Sequence, residues 1–490
     1  MSNCIMLQGT SSHVGKSILT TALCRIFYQE GLRVTPFKAQ NMALNSYVTK
    51  DGLEMGRAQV AQAEAAMLDP HVDMNPVLLK PTGNSTSQVI INGRPIGNMS
   101  AKEYHQGYSL KAFDAVKTAL NRLDENFDMI VIEGAGSPAE VNLKANDIVN
   151  MRVAKYLNAP VLLVADIDRG GSLAALVGTL ELLDEDEREL VKGLVINKFR
   201  GDINLFTPAV DFLENKTGKP VLGVIPFIDK LGIDDEDSVS LDDKYNINHD
   251  GEIKVAIVRT PKISNFTDFD SLAGEEDVNL IYATKIDELD ETDLIILPGS
   301  KNTSEDLIYL QNNGFVDKIR ALVEAGVAVI GICGGYQMLG QKIFDPMHTE
   351  SANDSVDGLA LLPMTTTFAE NKLTRQVIIN EIDIEFLNTH ITSKNLDGYE
   401  IHAGVTEFDS SITPSAIISI KNILGTYVHG IFDNDDFRRQ ILNAIRLQKG
   451  LVAIKNTRNV RAEKQRNYER LAKIVRDNLN MNLLHSIIYD

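Results

Sequence analysis

One cysteine in the second half of this chain stands between glycines at the end of an apolar run. Residues 327–332 read Val-Ala-Val-Ile-Gly-Ile and are followed by Cys333, Gly334 and Gly335. Glycines beside a reactive residue permit the strained turn that lifts its side chain clear of a sheet edge. The helix predicted over 336–339 adds a positive end that stabilises a thiolate, and N–H groups that hold an oxyanion. Cys333 is therefore a candidate nucleophile, whereas Cys4 and Cys24 fit the commoner role of buried structural cysteines.

A second group of reactive residue types lies near the N-terminus. The apolar stretch 5–8 leads into Gly-Thr-Ser-Ser-His-Val-Gly-Lys-Ser at 9–17, and an amphipathic helix is predicted over 18–28. Glycines let backbone N–H groups approach phosphates, a lysine neutralises charge and a hydroxyl binds magnesium. The first two glycines are separated by five residues instead of four, the spacing of the dethiobiotin-synthetase-like P-loop proteins, which phosphorylate a carboxylate. The predicted ATP-binding residues are Gly9, Thr10, Gly15, Lys16 and Ser17.

Three carboxylates of the N-terminal half are candidate metal ligands. Glu133 ends the apolar stretch 129–132, so it should emerge at the carboxyl edge of the sheet, where open α/β folds bind ligands. We predict that Glu133 and Ser17 hold magnesium, Glu133 either directly or through water. Asp147 and Asp166 are weaker candidates, since capping a helix or closing a turn at a strand end explains each equally well.

The order of apolar strands and amphipathic helices determines the predicted fold class. Strand-length apolar runs alternate with helical segments in two series, the second beginning at 254–258, and this alternation is typical of parallel α/β sheets. Residues 229–252 are rich in Asp, Asn and Ser and lack apolar periodicity, which indicates a surface linker. We predict a P-loop domain over 1–230, a linker over 231–252, a second α/β domain over 253–450 and a C-terminal helical extension over 451–490.

Composition restricts the classes of partner and compartment. The 490 residues include 44% hydrophobic residues, three cysteines without metal-ligand spacing, and a formal net charge of −19. Nucleic-acid surfaces are basic, so a nucleic-acid partner is not expected. No apolar run reaches the length of a membrane span and the N-terminus lacks a signal-peptide pattern, so we expect no membrane partner and a cytoplasmic location. The sequence carries no information on the oligomeric state.

Further motifs, occurring in a fixed order, extend over nearly the whole chain. They are FKAQNMALNS at 37–46, MNPVLLKP at 74–81, SNFTDF at 264–269, LPGSKNT at 297–303, GYEIH at 398–402 and YVHG at 427–430. Together with the loop at 9–17 and the cysteine turn, they resemble the cobyric acid synthase family, the glutamine-hydrolysing amidotransferases of cobalamin biosynthesis. The corrin substrate is implied by this resemblance alone.

The resemblance implies a synthetase domain joined to a class I glutamine amidotransferase domain of flavodoxin-like fold. The implied reaction is amidation of the b, d, e and g carboxylates of adenosylcobyrinic acid a,c-diamide, with ATP and Mg²⁺ activating each carboxylate and glutamine supplying ammonia. Cys333 would attack glutamine, His429 would act as its base, and backbone N–H groups at Gly334 and at Gly299 or Ser300 would hold the oxyanion. Contacts to the substrate or phosphate are assigned to the set Lys38, Asn41, Lys80 and Asp147, although an ordinary surface role competes for the two lysines.

One position departs from the broader glutaminase class and leaves the catalytic set incomplete. That class usually has Glu two residues after the histidine, whereas this chain has Ile431. Either cysteine and histidine act as a pair, or Glu400, His402 or another group orients the imidazole. Two rival functions also stay open: a cobyrinic acid a,c-diamide synthase, and a P-loop switch ATPase carrying an inert glutaminase-like binding module.

Overall fold

The computed structural model describes residues 2–83, 85–229, 231–233, 250–410 and 412–489. Most of the predicted linker at 231–252 therefore lies outside the described residues. The chain forms two compact units. Unit 1 comprises residues 1–43, 54–234 and 462–490, and unit 2 comprises residues 44–53 and 235–461.

The helices and strands alternate along most of the chain. The strands of the first half are β1 (Asn3–Gly9), β2 (Val34–Phe37), β3 (Gln40–Met42), β4 (Ser46–Val48), β5 (Glu54–Gly56), β6 (Val77–Gly83), β7 (Thr86–Ile91), β8 (Arg94–Ser100), β9 (Met129–Glu133), β10 (Val161–Asp166), β11 (Val191–Phe199) and β12 (Val221–Pro226). Those of the second half are β13 (Ile253–Val258), β14 (Ile263–Ser264), β15 (Val278–Ala283), β16 (Leu294–Leu297), β17 (Gly299–Ser300), β18 (Ala328–Ile332), β19 (Lys342–Phe344), β20 (Ser355–Asp357), β21 (Met364–Phe386), β22 (Thr389–Phe408), β23 (Ile417–Ile420) and β24 (Ile423–Thr426). The α-helices are α1 (Lys16–Gln29), α2 (Arg57–Ala65), α3 (Ala101–Glu103), α4 (Ser109–Asn126), α5 (Met151–Leu157), α6 (Ser172–Leu182), α7 (Glu185–Leu190), α8 (Ile203–Thr217), α9 (Asp270–Ala273), α10 (Thr303–Asn312), α11 (Phe315–Glu324), α12 (Gly334–Met338), α13 (Asp435–Gln448), α14 (Val460–Asn478) and α15 (Met481–Tyr489).

The main sheet of unit 1 is parallel and has the order β12-β11-β10-β1-β9-β2. Successive side chains of β1 enter two different cores, because alternate residues of a strand point to opposite faces. Met6 packs in the cluster that contains Leu120 of α4, whereas Ile5 packs in the cluster that contains Phe27 of α1. Both faces are thus covered by helices, which explains why the strands read as continuous apolar runs.

Unit 2 contains a second such sheet, of order β15-β13-β16-β18-β24-β23, in which only the edge strand β23 runs antiparallel. The strands β16, β18 and β24 are neighbours, so the segments after their carboxyl ends meet at one edge of the sheet. These segments contain Gly299, Cys333 and His429. The predicted fold class, with a parallel α/β sheet in each half, is confirmed.

Two parts of the chain belong to a unit other than the one their sequence position indicates. Residues 462–490 return to unit 1, where Tyr468 and Leu471 of α14 join the same buried cluster as Leu23 and Phe27 of α1. Residues 44–53 join unit 2, although they lie within the N-terminal half. Among the described residues, no helix combines the length and hydropathy that a bilayer span requires.

Candidate active sites

Cys333 occupies a strained turn between β18 and α12. Its φ of 53° and ψ of −107° lie outside the ordinary regions for a residue with a side chain. The neighbouring glycines are required by close packing, since a Cβ on Gly335 would lie 2.0 Å from the carbonyl oxygen of Leu297. A Cβ on Gly331 would likewise lie 2.7 Å from the Gly335 oxygen. The helix begins at Gly334, two residues before the predicted start, so the cysteine itself stands at the helix N-cap.

The thiol of Cys333 is buried in a hydrophobic cluster but lies beside two polar groups. The residue is 6% exposed, and its Sγ lies 3.6 Å from the carbonyl oxygen of Ile401. The imidazole of His429 is close enough to this thiol to interact with it electrostatically. The sulfur therefore has a proton acceptor beside it, as a nucleophile that must become a thiolate requires.

Asp268 fills the position that sequence reasoning left open. Its Oδ2 lies 2.6 Å from Nδ1 of His429, and its Oδ1 accepts a hydrogen bond of 3.0 Å from the backbone N–H of Gly430. The imidazole thus has the thiol and the carboxylate as its two polar neighbours. Asp268 lies in the 3₁₀ turn Phe266–Phe269, inside the 264–269 motif, and an acidic residue between two buried phenylalanines is the signal that could have found it.

The two residues considered for that position make other contacts. Glu400 accepts a hydrogen bond of 2.8 Å from Nε of Arg375. His402 stacks on the ring of Tyr427 with centroids 3.8 Å apart. Burial lowers the pKa of His402 to about 4, so this imidazole is neutral at physiological pH.

The protonated form of His429 is strongly stabilised. Burial lowers its pKa, but the charges of Asp268 and Cys333 and the hydrogen bonds to both outweigh burial and raise the pKa to about 10. The folded pKa exceeds the ordinary value of 6.5, so the stabilising contribution is fully present below pH 6.5 and is lost as the pH rises towards 10. The site thus favours a proton on the imidazole, which is the state needed after the thiol has been deprotonated.

The predicted oxyanion residues lie against the cysteine turn. A Cβ placed on Gly334 would lie 2.9 Å from the backbone nitrogen of Ser300, and one on Gly299 would lie 3.1 Å from Cε1 of His429. The side chain of Ser300 donates a hydrogen bond of 2.6 Å to Oδ2 of Asp306, which fixes this segment. Burial raises the pKa of Asp306 to about 6. The structure therefore brings together all five residues predicted for the glutaminase site: Cys333, His429, Gly299, Ser300 and Gly334.

The predicted phosphate loop joins β1 to α1 in unit 1. Gly15 has a φ of +94°, and a Cβ on Gly9 would lie 2.8 Å from the Ser11 oxygen. The backbone N–H of Thr10 donates to the Val164 oxygen at 2.9 Å. Nζ of Lys16 lies over the loop and donates to the carbonyl oxygens of Ser11 and Gly136, at 3.0 and 3.1 Å. Lys16 thus places a cation at this loop, as the prediction of a phosphate site requires.

Glu133 connects the loop to a predicted substrate contact. Its Oε1 accepts hydrogen bonds from Oγ of Ser17 at 2.8 Å and from Nζ of Lys38 at 2.9 Å, and its Oε2 accepts one from Gln62 at 2.6 Å. A carboxylate and a hydroxyl are hard oxygen donors suited to Mg²⁺. No cluster of three or more His, Cys, Asp or Glu suited to a metal occurs in the described part of the chain. Glu133 and Ser17 fit an ion that takes its remaining ligands from nucleotide phosphates and water.

The remaining predicted contacts lie in unit 1 with well-defined partners. Lys80 is buried and forms an ion pair of 2.8 Å with Glu54, and Nδ2 of Asn41 donates to Gln59 at 3.0 Å. Asp147 accepts hydrogen bonds from the N–H groups of residues 149 and 150, both at 3.1 Å, so it closes a turn as its alternative interpretation predicted. Asp147 also lines a cavity of about 250 Å³ whose wall includes Gly136.

Comparisons with known proteins define the class and then the family. Residues 254–437 match the CobB/CobQ-like glutamine amidotransferase domain, and residues 5–240 match the CobQ/CobB/MinD/ParA nucleotide binding domain. The fold and the two sites thus define a glutamine amidotransferase joined to a nucleotide-binding domain. The cobyric acid synthase of Carboxydothermus hydrogenoformans is 51% identical over 100% of both chains, and that of Moorella thermoacetica is 50% identical over 100% of this chain and 98% of the other. The chain belongs to the cobyric acid synthase family, and it is an enzyme, a glutamine-hydrolysing carbon–nitrogen ligase. The resemblance stated from the motifs is confirmed.

Proposed function

We propose that this enzyme amidates the b, d, e and g carboxylates of adenosylcobyrinic acid a,c-diamide, giving adenosylcobyric acid with ATP as activator and glutamine as nitrogen donor. Full-length similarity to proteins named cobyric acid synthase supports the corrin substrate. The observation that carries the chemistry is the presence, in one chain, of the Cys333, His429 and Asp268 set and the Glu133, Ser17 and Lys16 set. The first set suits release of ammonia, and the second suits phosphoryl transfer.

In the glutaminase half, the thiol proton of Cys333 passes to Nε2 of His429, and the resulting thiolate, paired with the imidazolium, attacks the carboxamide carbon of glutamine. The tetrahedral oxyanion accepts hydrogen bonds from N–H groups of the 299–300 segment and of Gly334. His429 then returns the proton to the leaving nitrogen, ammonia departs, and water hydrolyses the thioester. Asp268 holds Nδ1 protonated throughout and so leaves Nε2 to face the sulfur.

In the synthetase half, a corrin carboxylate must first become a better acyl donor, because its own leaving group would be oxide. Transfer of the γ-phosphoryl group of ATP to the carboxylate gives an acyl phosphate and ADP. Ammonia then attacks the acyl carbon, and inorganic phosphate leaves as the amide forms. Lys16 neutralises charge on the phosphates, and Lys38 meets the acceptor carboxylate or the transferred group. Glu133 and Ser17 would hold Mg²⁺, and the ion would supply electrostatic stabilisation of the phosphoryl oxygens.

Product analysis tests the proposed reaction directly. Purified enzyme is incubated with ATP, Mg²⁺, glutamine and adenosylcobyrinic acid a,c-diamide, and products are followed by mass spectrometry. We expect stepwise appearance of corrins with one to four added amides. Amidation of cobyrinic acid at a and c would instead identify a cobyrinic acid a,c-diamide synthase. ATP hydrolysis with no amidated corrin would favour a switch ATPase.

Replacement of Asp268 by asparagine should lower glutamine hydrolysis at least about 100-fold, since the amide no longer fixes the tautomer of His429. Ammonia-driven amidation serves as the internal control and should stay near the wild-type rate. The variant should also lose thermal stability, most at pH values below 6.5 and least near pH 10, because it removes the carboxylate that raises the pKa of His429. Glutamine hydrolysis within threefold of wild type would exclude Asp268 from the proposed mechanism.

A further inference from the structure

A ten-residue segment of the N-terminal half lies in the same unit as the glutaminase residues. Residues 44–53 are joined at both ends to chain that belongs to unit 1, yet they pack in unit 2. Hydrogen bonds to residues of unit 2 hold this 44–53 segment there. The N–H of Ser46 donates to Oδ1 of Asn265 at 3.0 Å, and Oη of Tyr399 donates to the Ser46 oxygen at 3.0 Å. Farther along, Thr374 donates to the Gly52 oxygen at 2.7 Å and Gln376 donates to the Val48 oxygen.

Tyr399, which contacts the segment, also contacts the catalytic histidine. Its ring stacks on the imidazole of His429, with centroids 5.3 Å apart and planes inclined by 22°. Their backbones exchange hydrogen bonds in both directions, at 2.8 and 3.1 Å. The close approach depends on Gly398, where a Cβ would lie 2.6 Å from the His429 oxygen. The Tyr399 ring also makes an edge contact with the Tyr47 ring, with centroids 5.1 Å apart and planes at 61°.

The second contact of the segment leads to Asp268. Asn265, which accepts the hydrogen bond from Ser46, is the N-cap of the 3₁₀ turn that carries Asp268 and has a φ of 53°. One short segment therefore touches both groups that fix the imidazole: the ring stacked on it and the turn whose carboxylate binds Nδ1. A displacement of the segment would alter the position of His429 from two directions.

The two ends of the segment continue into residues of the proposed synthetase half. Asn41, a predicted substrate contact, precedes it, and Glu54, the partner of Lys80, follows it directly. Because these residues are joined to the segment by the chain, a movement that accompanies binding of an acceptor or a nucleotide can be passed to the segment. A bound ligand shifts the equilibrium between two positions of the segment only by the difference in its affinity for the two. A tenfold change in rate requires a difference of about 1.4 kcal/mol.

We propose that the 44–53 segment couples the two reactions: loading of the nucleotide- and corrin-binding half places Tyr399 and the Asp268 turn so that His429 is aligned with Cys333. Glutamine is then hydrolysed at full rate only when an acceptor is present to consume the ammonia. In this scheme Tyr399 and Tyr47 are positioning residues. The inference rests on the proposed function, because it requires a second site that binds ATP and a corrin.

The test measures glutamate release from glutamine alone and with ATP, Mg²⁺ and adenosylcobyrinic acid a,c-diamide. The activation ratio is the rate of glutamate release with these ligands divided by the rate with glutamine alone. We expect an activation ratio of at least about five for the wild-type enzyme, within the usual range of coupling between sites. Tyr47→Ala should reduce this ratio to below about twofold, through kcat and with an unchanged KM for glutamine, while ammonia-driven amidation continues. Tyr399→Phe removes only the hydroxyl bonded to Ser46 and should give an intermediate ratio. This smaller change keeps the test valid if Tyr47→Ala fails to fold. The matched control is Asp51→Ser, an exposed position of the same segment that should keep the wild-type ratio.

Three outcomes would overturn the coupling. They are a wild-type ratio of one, a wild-type ratio in both tyrosine variants, and loss of ammonia-driven amidation in parallel with the loss of glutaminase. The ammonia-driven reaction of the wild type keeps the two proposals apart. Its absence refutes the proposed function, whereas an unaltered ratio in tyrosine variants that still amidate corrin refutes only the coupling.

Discussion

Replacing Cys333 by alanine should lower glutamine-driven amidation by at least about 10³-fold and leave ammonia-driven amidation within about twofold of wild type. The thiol is the only group that the substitution removes, and its sulfur is the atom proposed to form the thioester. Alanine can keep the backbone of the turn, since it has the same Cβ that cysteine already places at a φ of 53°. Both reactions are measured with the same corrin acceptor, with either glutamine or ammonium chloride at alkaline pH as nitrogen source.

The other two cysteines provide matched controls for this result. Burial raises the pKa of the Cys4 thiol to about 11 and also raises that of Cys24, a fully buried residue of α1 in the same cluster as Ile5 of β1. Both cysteines belong to unit 1, whereas the glutaminase residues belong to unit 2, so Cys24→Ala should retain both activities. A folded Cys333→Ala enzyme that loses ammonia-driven amidation as well would contradict the division of labour between the two halves.

The parts of the sites that could be predicted from sequence are those encoded locally. The turn at Cys333 and the loop at 9–17 are each specified by glycines and an adjoining strand, because the backbone conformations they need are ones that only small residues allow. Glu133 could be placed for the same reason, since it ends a buried strand of a parallel sheet. The roles of these residues in catalysis stay predictions.

Contacts between distant segments could not be predicted in this way. Asp268 precedes His429 by 161 residues and reaches it through the 3₁₀ turn after β14, a relation that no periodicity or spacing encodes. The contact between Ser46 and Tyr399 spans 353 residues. Lys38 and Glu133 were both singled out from sequence, but their pairing depends on β2 and β9 being neighbours in the sheet. Such contacts follow from the tertiary topology, whereas the patterns readable in a single sequence describe only local structure.

Glutamine in place of Glu133 should abolish amidation from both nitrogen sources, with a loss of at least about 100-fold, while leaving hydrolysis of glutamine by the unloaded enzyme unchanged. The carboxylate is the proposed magnesium ligand, and its neutral isostere keeps the shape but removes the charge. The same change breaks the buried ion pair with Lys38, so the free energy of unfolding should fall by roughly 3 to 5 kcal/mol. Amidation is measured with ammonium chloride, and thermal unfolding of the same sample establishes that the variant is folded.

Asp128→Asn is the matched control, because it makes the same change of carboxylate to amide immediately before the first residue of β9, the strand that Glu133 ends. Asp128 forms an exposed ion pair with Arg33, and exposed pairs contribute about 1 kcal/mol or less. The control should therefore keep both reactions at wild-type rates with little change in unfolding temperature. If folded Glu133→Gln enzyme amidates corrin at a rate near that of this control, Glu133 does not hold the metal ion. The phosphoryl-transfer site must then be sought among other carboxylates at the same sheet edge, of which Asp166 at the end of β10 is the first to test.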